Sequence, residues 1–323
     1  MKVEIQEDNR QKMKIQELKD IFPEGLFEGE VRFMEPMRSH TSLRIGGPAD
    51  IFAVPRDLSS LINIHKRLRK NGIPAFPLGS GTNLLVKDGG IEGAVISLSF
   101  FRRIGVLSQD SEYVHLAVEA GALLQRLVHY AVENGYSGIE GLAGIPGTVG
   151  GAICGNSGAH GYEMKDALVS VEILNKTGSV KKTDAEGISF GYRSSGVLSD
   201  ELILDAELKL EIRDTEEVSK KVENFLRMRR ESQPVWEHTA GCVFKNPPGL
   251  SAGKLIDEAG CKGRRIGEIE VSTLHANFFI NKGAGTASDF VRLMEEVGLR
   301  VKERSGVILE PEIKIVGRDL AHG

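Results

Sequence analysis

Two glycine-rich segments are the first places in this chain where the backbone itself could bind a ligand. The first, residues 78–85, has glycine at positions 79 and 81 among serine, threonine and asparagine. Glycine lets the backbone approach a ligand closely and turns successive N–H groups toward it, which suits a pyrophosphate. The segment is not the Rossmann fingerprint, because Leu84 stands where a third glycine is required, and no Walker lysine follows. Taken alone, it is more typical of a tight turn.

The second segment, residues 144–159, is dominated by glycine and other small residues over sixteen consecutive positions. An ordinary turn needs only one or two such residues. A long run of small residues allows the backbone to lie against a flat ligand. The two segments are about 70 residues apart, and together they predict one large dinucleotide that crosses both. A glycine-rich hairpin without a ligand is the alternative.

Three other segments carry side chains that could do chemistry. Tyr192 and Arg193 offer stacking and a fixed cation. Cys242 places a thiol between a glycine and an apolar pair, with Lys245 three residues further on, and Glu312 places a carboxylate near the end of the chain. Each is ordinary by itself, because arginine and glutamate are usually solvated and a buried cysteine is usually an inert small hydrophobe.

The histidines show no metal-binding pattern. None of the eight forms an H-E-x-x-H or similar spacing. His40, His238 and His275 fall in loops near the segments above, where we expect hydrogen-bonding or surface roles. We therefore predict no metal site.

Composition and charge narrow the class of protein. The chain has 323 residues, of which 41% are hydrophobic and 27% charged, values typical of a globular protein of two or three domains. A net charge of −4 offers no basic field for nucleic acid or a membrane surface. The three cysteines show no disulfide or zinc spacing, and we find neither a signal peptide nor a membrane-spanning run. We expect a cytoplasmic protein.

Hydrophobic periodicity predicts the elements that must position these segments. A charged N-terminal helix and connector is followed by a strand–helix–strand unit, with the helix over 58–70. Further helices are predicted over 122–133, 215–231, 255–258 and 287–304. Predicted strands are 49–54, 74–78, 93–98, 169–174, 202–212, 277–280 and 307–316.

Taken together and in this order, the segments resemble the UDP-N-acetylenolpyruvoylglucosamine reductase (MurB) family. The resemblance extends over about residues 36–317, and the joint order of its motifs is highly specific although no single motif is decisive. The residues that carry it are 39–50, 79–85, 145–152, 192–194, 241–247, 251–257, 275–281 and Glu312.

The resemblance implies an α+β fold with an FAD-binding fold of the type shared with vanillyl-alcohol oxidase. It implies an FAD-binding domain of two subdomains at 36–212 and a substrate-binding domain at 213–305. An N-terminal helical extension would occupy 1–35, and a C-terminal strand at 306–323 would return to the active site. The short segment after Tyr192 is similar to the shorter type of the family, which lacks an extra tyrosine loop.

The resemblance also implies specific contacts. The substrate side would be bound by Tyr192, Lys245, Asn246, Lys254, His275 and Asn277, and the catalytic residues would be Arg193, Cys242 and Glu312. The FAD contacts would come from Gly79, Ser80, Gly81, Thr82, Asn83, Leu84, Ile145, Pro146, Gly147, Thr148, Gly150, Gly151, Ala152, Asn156, Gly158 and Ala159.

In this family, NADPH reduces FAD and leaves, and the enolpyruvyl ether of UDP-N-acetylglucosamine is then reduced to UDP-N-acetylmuramate for peptidoglycan. Arg193 and Glu312 would stabilise the enol form, which requires Glu312 to hold or share a proton and hence a raised pKa. Cys242 stands where the family's proton donor is often serine. A thiol with a reference pKa of ~8.5 yields its proton more readily than an alcohol. Lys245 could depress that pKa if it pointed inward.

Two alternatives share part of this pattern. A sugar or lactone oxidase on the same fold would have the glycine loops but not necessarily residues 241–247 and Glu312. A nucleotide-sugar binding protein that has lost catalysis is disfavoured because Arg193, Cys242 and Glu312 are all present.

We expect a monomer, with the acidic UDP group held by Arg193, Lys245, Arg264 and Arg265.

Overall fold

The N-terminal part of the chain joins a helical stretch to a strand. A computed structural model describes residues 15–23, 25, 27–197 and 201–320, so the first fourteen residues of the expected extension lie outside the described residues. Residues 15–21 are helical. Residues 29–35, which we expected in the helical extension, instead belong to strand β1 (Gly29–Pro36). Val31 and Phe33 alternate with exposed Glu30 and Arg32, and this period of two is that of a half-buried strand.

A four-stranded sheet begins the N-terminal lobe, which we define as residues 27–232. Its strands run in the order β1-β2-β5-β3, and β4 lies outside it. Helix α1 (Leu58–Lys70) connects β2 to β3 and is capped by Asp57, whose carboxylate accepts from the Ser60 N–H. The remaining strands are β2 (Pro48–Pro55), β3 (Ala75–Leu78), β4 (Leu84–Val86) and β5 (Ile91–Ser97).

A second sheet completes this lobe, in the order β12-β11-β13-β7-β6, with β8 beside β13. Its β6–β7 hairpin was not predicted from the sequence. The strands are β6 (Ile104–Gln109), β7 (Tyr113–Glu119), β8 (Tyr136–Ser137), β11 (Leu168–Leu174), β12 (Val180–Asp184) and β13 (Leu202–Ile212), and a separate short hairpin is formed by β9 (Gly158–Ala159) and β10 (Tyr162–Glu163).

Helices cover the second sheet. They are α2 (Leu124–Asn134), α3 (Val149–Cys154), α4 (Met164–Ala167) and α5 (Thr215–Ser232). Elsewhere in the lobe, short 3-10 turns are formed by Met37–Ser39, Glu140–Leu142 and Ala185–Gly187. Helix α5 packs Val222, Phe225 and Leu226 against the core of the N-terminal lobe. Phe225 also stacks on His160 of the β9–β10 turn, with ring centroids 4.4 Å apart. This packing fixes the end of α5 beside the second glycine-rich segment.

The C-terminal lobe, residues 240–313, has a hydrophobic core around Phe279 and Phe290, and Leu43, Ile45 and Leu85 of the N-terminal lobe pack into it. Strand β17 (Lys314–Val316) then leaves it and pairs in parallel with β4. We predicted a strand over 307–316, but only residues 314–316 form one. Pro311 has no N–H to donate, so a continuous ladder of hydrogen bonds cannot run through it. The elements of the lobe are α6 (Ala252–Glu258), β14 (Arg265–Ile266), β15 (Ile269–Val271), β16 (Phe279–Asn281) and α7 (Ala287–Ser305).

Within the described ranges, none of the helices combines the length and the apolar character needed to cross a bilayer.

Candidate active site

The loop between β3 and β4, residues 79–83, presents unpaired backbone donors. In the described part of the chain, the N–H groups of Ser80, Gly81, Thr82 and Asn83 have no protein acceptor. Gly81 is buried and Ser80 and Thr82 are half-buried, and N–H groups in such positions are normally paired, so this loop is suited to donate to a ligand. Four successive donors on one turn match the oxygens of a pyrophosphate. Leu84 differs from its neighbours, because its side chain is buried among core residues of β4 and only its backbone can face the loop.

Gly81 is the residue that allows this turn. Its φ is +61°, a left-handed conformation, and a Cβ there would overlap the carbonyl oxygen of His40. That carbonyl belongs to the backbone and cannot move aside as a flexible side chain could.

We therefore expect Gly81→Ala to weaken dinucleotide binding at least about tenfold, since a loss of ~1.4 kcal/mol is a tenfold change. Gly105→Ala is the matched control, because nothing lies within 4 Å of a Cβ built on Gly105. Titration of the apoprotein with FAD, followed by flavin fluorescence, measures both variants. Equal affinity in the two variants would show that the turn does not shape the site.

The second segment, residues 144–159, faces the first. The Thr82 hydroxyl donates to the Pro146 carbonyl at 3.2 Å, and a Cβ on Gly79 would meet the Thr148 hydroxyl. The N–H groups of Gly147 and Thr148 also lack an acceptor among the described residues. The two predicted loops therefore lie together, with unpaired donors on both. Ile145 packs on the core, and Gly150, Gly151 and Ala152 form the first turns of α3.

The far end of this segment contacts protein groups instead. Asn156 is buried, its amide donates to Glu163 and to the Gly191 carbonyl at 3.2 Å, and its oxygen accepts from the Lys165 N–H. Gly158 and Ala159 pair with β10. Apart from its predicted contact with FAD, Asn156 therefore holds the turn at Gly191 against the glycine-rich segment.

Arg193 stands at the tip of that turn. Backbone hydrogen bonds of 3.0 and 3.3 Å connect Gly191 and Ser194 in both directions, and Arg193 adopts φ +56°. A non-glycine residue in this region is strained by roughly 1–2 kcal/mol, and such strain persists where the surroundings require it. The guanidinium lies over the ring of Tyr192, 5.3 Å from its centroid, while Tyr192 itself is half exposed. The paired turn and the contact with Tyr192 fix the position of the guanidinium.

Glu312 of the C-terminal lobe meets Arg193. Arg193 Nε is 2.9 Å from Glu312 Oε1, although its N–H is not aligned for a hydrogen bond. Burial raises the pKa of Glu312 above its ordinary value, and the charge of Arg193 opposes that rise without cancelling it. The net direction is the one that a proton-sharing carboxyl requires.

Cys242 is held beside Glu312 by backbone pairing. The Glu312 N–H donates to the Val243 carbonyl at 2.8 Å. Asn277 commits its side chain to the same strand, accepting from the Phe244 N–H at 2.9 Å and donating to its carbonyl at 2.7 Å. Burial, reinforced by the Glu312 charge, raises the pKa of Cys242 to about 12, while Arg193 and Arg229 lower it. Lys245 has no part in this shift, so the depressed thiol pKa that we considered is not found.

A pKa near 12 keeps the Cys242 proton in place throughout the working range. A thiol at the reference pKa of ~8.5 would be roughly one-quarter ionised at pH 8, and only the thiolate is alkylated. We expect iodoacetamide to modify Cys242 at pH 8 about a thousandfold more slowly than in the urea-unfolded chain. Peptide mapping by mass spectrometry separates it from Cys154 and Cys261. Similar rates in both states would contradict a protonated thiol.

The other residues predicted to bind the substrate lie in the C-terminal lobe, where their side chains make different contacts. Lys245 Nζ is 3.6 Å from the exposed Glu310, and Lys254 is exposed on α6 near Glu258. The oxygen of Asn246 accepts from the Ala252 N–H at the start of α6. His275 is packed near Gly253, and burial lowers its pKa, so it is neutral at pH 7. Of these side chains, Lys245 and Lys254 hold the available cations.

Three buried polar side chains, one of them beside the active site, were missed by the sequence analysis. Arg229 Nε, Gln233 Oε1 and Thr239 Oγ1 are buried and have no hydrogen-bond partner among the described residues. Arg229 reaches Gly144 of the second segment and acts electrostatically on Cys242. A clue was present, because position 229 continues the apolar face of α5 after Val222 and Phe225. A charged residue on such a face indicates a polar site.

Two further expectations concern metals and basic residues. In the portion of the chain that the structure describes, no three acidic, histidine or cysteine side chains are grouped to hold a metal ion. Arg264 pairs with Glu296, and Arg265 lies 2.6 Å from Glu268. Both arginines therefore have carboxylate partners within the C-terminal lobe.

Two known protein families match parts of this chain. Residues 49–184 match the sequence model of an FAD binding domain, and residues 233–316 match that of the UDP-N-acetylenolpyruvoylglucosamine reductase C-terminal domain. The α+β, FAD-binding architecture implied by the resemblance is thus confirmed, and the two unpaired-donor loops fall inside the first match. The orphaned donors fit the pyrophosphate of FAD.

Whole-chain relatives agree. The UDP-N-acetylenolpyruvoylglucosamine reductase of Caldanaerobacter subterraneus is 44% identical over 301 residues, covering 93% of this chain and 98% of that protein. That of Geotalea uraniireducens is 43% identical, covering 90% and 95%. The crystal structure of the reductase from Thermus caldophilus superposes with a TM-score of 0.74 at 36% identity, covering 90% of this chain and 99% of that one.

Proposed function

Because this chain belongs to the UDP-N-acetylenolpyruvoylglucosamine reductase family, we propose that Arg193, Cys242 and Glu312 complete the reduction in the cleft between its two lobes. The protein is an FAD-dependent oxidoreductase that uses NADPH to reduce the enolpyruvyl ether of UDP-N-acetylglucosamine to UDP-N-acetylmuramate in peptidoglycan synthesis. The observation that carries the assignment of residues is the meeting of Arg193, from one lobe, with Glu312 and Cys242, from the other.

FAD, when bound, supplies the hydride that adds to the terminal vinyl carbon. The two facing loops, residues 79–83 and 144–152, would hold its pyrophosphate with their unpaired N–H groups. Asn156 ties the turn of Arg193 to the second loop through Gly191, so the loops that would hold FAD also position Arg193. The protein's own part is positioning and charge.

Arg193 and Glu312 bind the substrate carboxylate. Hydride addition places negative charge on the carboxylate-bearing carbon and delocalises it onto the carboxylate oxygens. A fixed guanidinium stabilises this growing charge, since it acts most strongly where charge develops in a dry site. Glu312, with its raised pKa, donates its proton in a hydrogen bond to the same oxygens. An ionised Glu312 would repel them.

Cys242 supplies the proton that completes the product. Its thiol protonates the carboxylate-bearing carbon, forming the new C–H bond while the electron pair of the S–H bond stays on sulfur. A thiol with a pKa of about 12 is a competent acid toward so basic a carbon, and it is fully loaded at neutral pH. Arg193 and Arg229 then stabilise the thiolate until solvent returns a proton.

The diphosphate of the substrate is negatively charged, so its binding requires positively charged side chains. Lys245 and Lys254 are the lysines proposed for the diphosphate, because their ammonium groups lie 3.6 and 3.7 Å from exposed Glu310 and Glu258, looser pairs than those of Arg264 with Glu296 and Arg265 with Glu268. Tyr192 is exposed at the mouth of the cleft and can cover the sugar. The side chain of Asn277 bonds to Phe244 through both its oxygen and its nitrogen, and its carbonyl accepts from the Val243 N–H, so Asn277 acts by holding the segment that carries Cys242.

The proposal also covers the division of the chain into domains, the compartment and the oligomeric state. We propose that residues 36–212 form the FAD-binding unit with α5 packed on it, that residues from 233 onward cap the substrate, and that the protein acts as a cytoplasmic monomer. The three cysteines are free thiols, which suits a reducing compartment. Size-exclusion chromatography with light scattering should give the mass of one chain, 35.2 kDa.

An anaerobic two-step absorbance assay tests the proposal. NADPH should bleach the flavin band of the purified protein, and UDP-N-acetylglucosamine enolpyruvate should restore it. Restoration by oxygen alone, or oxygen consumption with simple sugars, would instead favour an oxidase on the same fold. A protein that stays colourless after incubation with FAD would contradict the assignment of both loops.

A further inference from the structure

Asp88 connects the two lobes through a contact outside the active site. It lies in the turn between β4 and β5 of the N-terminal lobe. Its carboxylate accepts from the backbone N–H groups of Ala287 and Ser288, each at 2.9 Å, and from the Ser288 hydroxyl at 2.7 Å. These three bonds cross about 200 residues of sequence and join the first turn of α7 to the other lobe.

The carboxylate completes the cap of α7. Thr286 of the C-terminal lobe is the N-cap and accepts from the Asp289 N–H at 3.0 Å. That leaves the N–H groups of Ala287 and Ser288, which a helix cannot satisfy internally. A carboxylate is the favoured partner at this position because of the positive end of the helix. Removing Asp88 would therefore remove the polar attachment of this helix end to the N-terminal lobe, while the packing of Leu43, Ile45 and Leu85 into the core of the C-terminal lobe would remain.

The same turn holds the chain that follows α7. The Gly89 N–H donates to the Arg318 carbonyl at 3.0 Å, the Arg318 N–H donates to the Gly90 carbonyl at 2.9 Å, and the Lys87 N–H donates to the Val316 carbonyl at 2.9 Å. A side chain at Gly89 would overlap the carbonyls of Arg318 and Asp319. Residues 87–90 thus bind both the start of α7 and the tail beyond it.

Glu312 lies between these two attachments. Helix α7 has 19 residues and is about 28 Å long at 1.5 Å per residue. Residues 306–313 then run back beside the lobe to β17, which lies next to β4. The segment that leaves the turn at residue 287 and returns to it near 316 is therefore anchored at both ends, with Glu312 on its returning part.

Two contacts of Glu312 depend on how the lobes are placed: its pair with Arg193, and the hydrogen bond that its carbonyl accepts from the Asn83 side chain at 3.3 Å. Cys242 and Glu312 belong to the same lobe and are joined by the Glu312–Val243 hydrogen bond. Arg193 comes from the N-terminal lobe, so the 2.9 Å Arg193–Glu312 pair crosses the cleft. A change in lobe placement would separate this pair and leave the Cys242–Glu312 unit intact.

We propose that Asp88 is a positioning residue for the reaction, which anchors α7 so that Glu312 is presented to Arg193. This inference rests on the proposed role of Glu312. It predicts that Asp88 acts on catalysis through Glu312, although Asp88 itself contacts α7 and not the substrate.

The test is a double-mutant cycle on the flavin-loaded enzyme. In single-turnover experiments, Asp88→Ala should slow flavin reoxidation by the enolpyruvyl substrate about tenfold, and Asp88→Asn, which keeps one acceptor oxygen, should recover part of the rate. In a Glu312→Gln background, Asp88→Ala should add less than about twofold, because residues that act through one another are not additive. Asp289→Asn is the matched control, a carboxylate in the same helical turn that contacts only its own lobe.

A second readout does not use activity. Hydrogen exchange followed by mass spectrometry should show faster exchange of the amides of Ala287 and Ser288 in Asp88→Ala, and unchanged exchange in Asp289→Asn. A normal reoxidation rate in Asp88→Ala, or an equal loss in both Glu312 backgrounds, would overturn the inference. If Glu312→Gln alone reoxidised normally, the proposed role of Glu312 would be the part that had failed.

Discussion

Cys242→Ala is expected to accept reducing equivalents from NADPH at the normal rate and then to stall. Without the thiol, the proposed mechanism has no acid directed at the carboxylate-bearing carbon, because the proton of Glu312 is donated to the carboxylate oxygens beside Arg193. General acid catalysis typically contributes about 10²- to 10⁴-fold, so reoxidation by the enolpyruvyl substrate should slow by that factor. Rapid-mixing absorbance of the flavin band measures the two half-reactions separately.

Cys242→Ser is the control for this variant. A hydroxyl at the same position, held by the same Val243 and Asn277 contacts, still carries a proton that can be transferred. We expect its reoxidation rate to stay within about tenfold of the unsubstituted enzyme. Normal turnover by Cys242→Ala would remove Cys242 from the mechanism.

Replacing either member of the Arg193–Glu312 pair should also cost about 10²- to 10³-fold in the reoxidation step, the range seen when one group that stabilises a developing oxyanion is removed. Arg193→Lys should recover little, because an ammonium cannot present the planar fork that matches a carboxylate. Glu310→Gln is the matched control for Glu312→Gln, since Glu310 lies two residues away with its side chain mostly exposed.

The pH dependence of reoxidation should show whether the reaction requires protonated Glu312. Glu312 is competent while protonated, and burial raises its pKa. The rate should therefore hold at low pH and fall as the pH rises through that pKa. Glu312→Gln has no proton to lose there, so its slower rate should be flat across the same range. A fall of equal size in Glu312→Gln would assign the titration to another group.

Elements with strong periodicity were predicted well from the sequence. Helix α1 was expected over 58–70 and β13 over 202–212, and both match the structure. Helix α1 has buried residues at helical spacing, and β13 alternates between buried and less buried residues from Leu204 to Leu210. The β6–β7 hairpin was missed because β6 is an edge strand whose Val106 and Leu107 are exposed, so it lacks the usual alternation.

The site could be predicted only where local sequence determines it. The glycine loops were recognised because their conformation depends on their own residues, as at Gly81. The role of Arg229, the commitment of Asn277 to Phe244 and the high pKa of Cys242 depend on packing between distant segments. The Asp88 contact joins residues 200 positions apart. No spacing rule within one segment can reveal such contacts.

The central claim is that Cys242, Arg193 and Glu312 surround the carboxylate-bearing carbon of the substrate. A crystal structure of the oxidised, FAD-loaded protein with UDP-N-acetylglucosamine enolpyruvate tests it most directly. We expect Cys242 Sγ about 3.5–4 Å from that carbon, as proton transfer requires close approach, with Arg193 and Glu312 on the carboxylate oxygens. A thiol more than about 6 Å away, with another acid facing the carbon, would contradict the account.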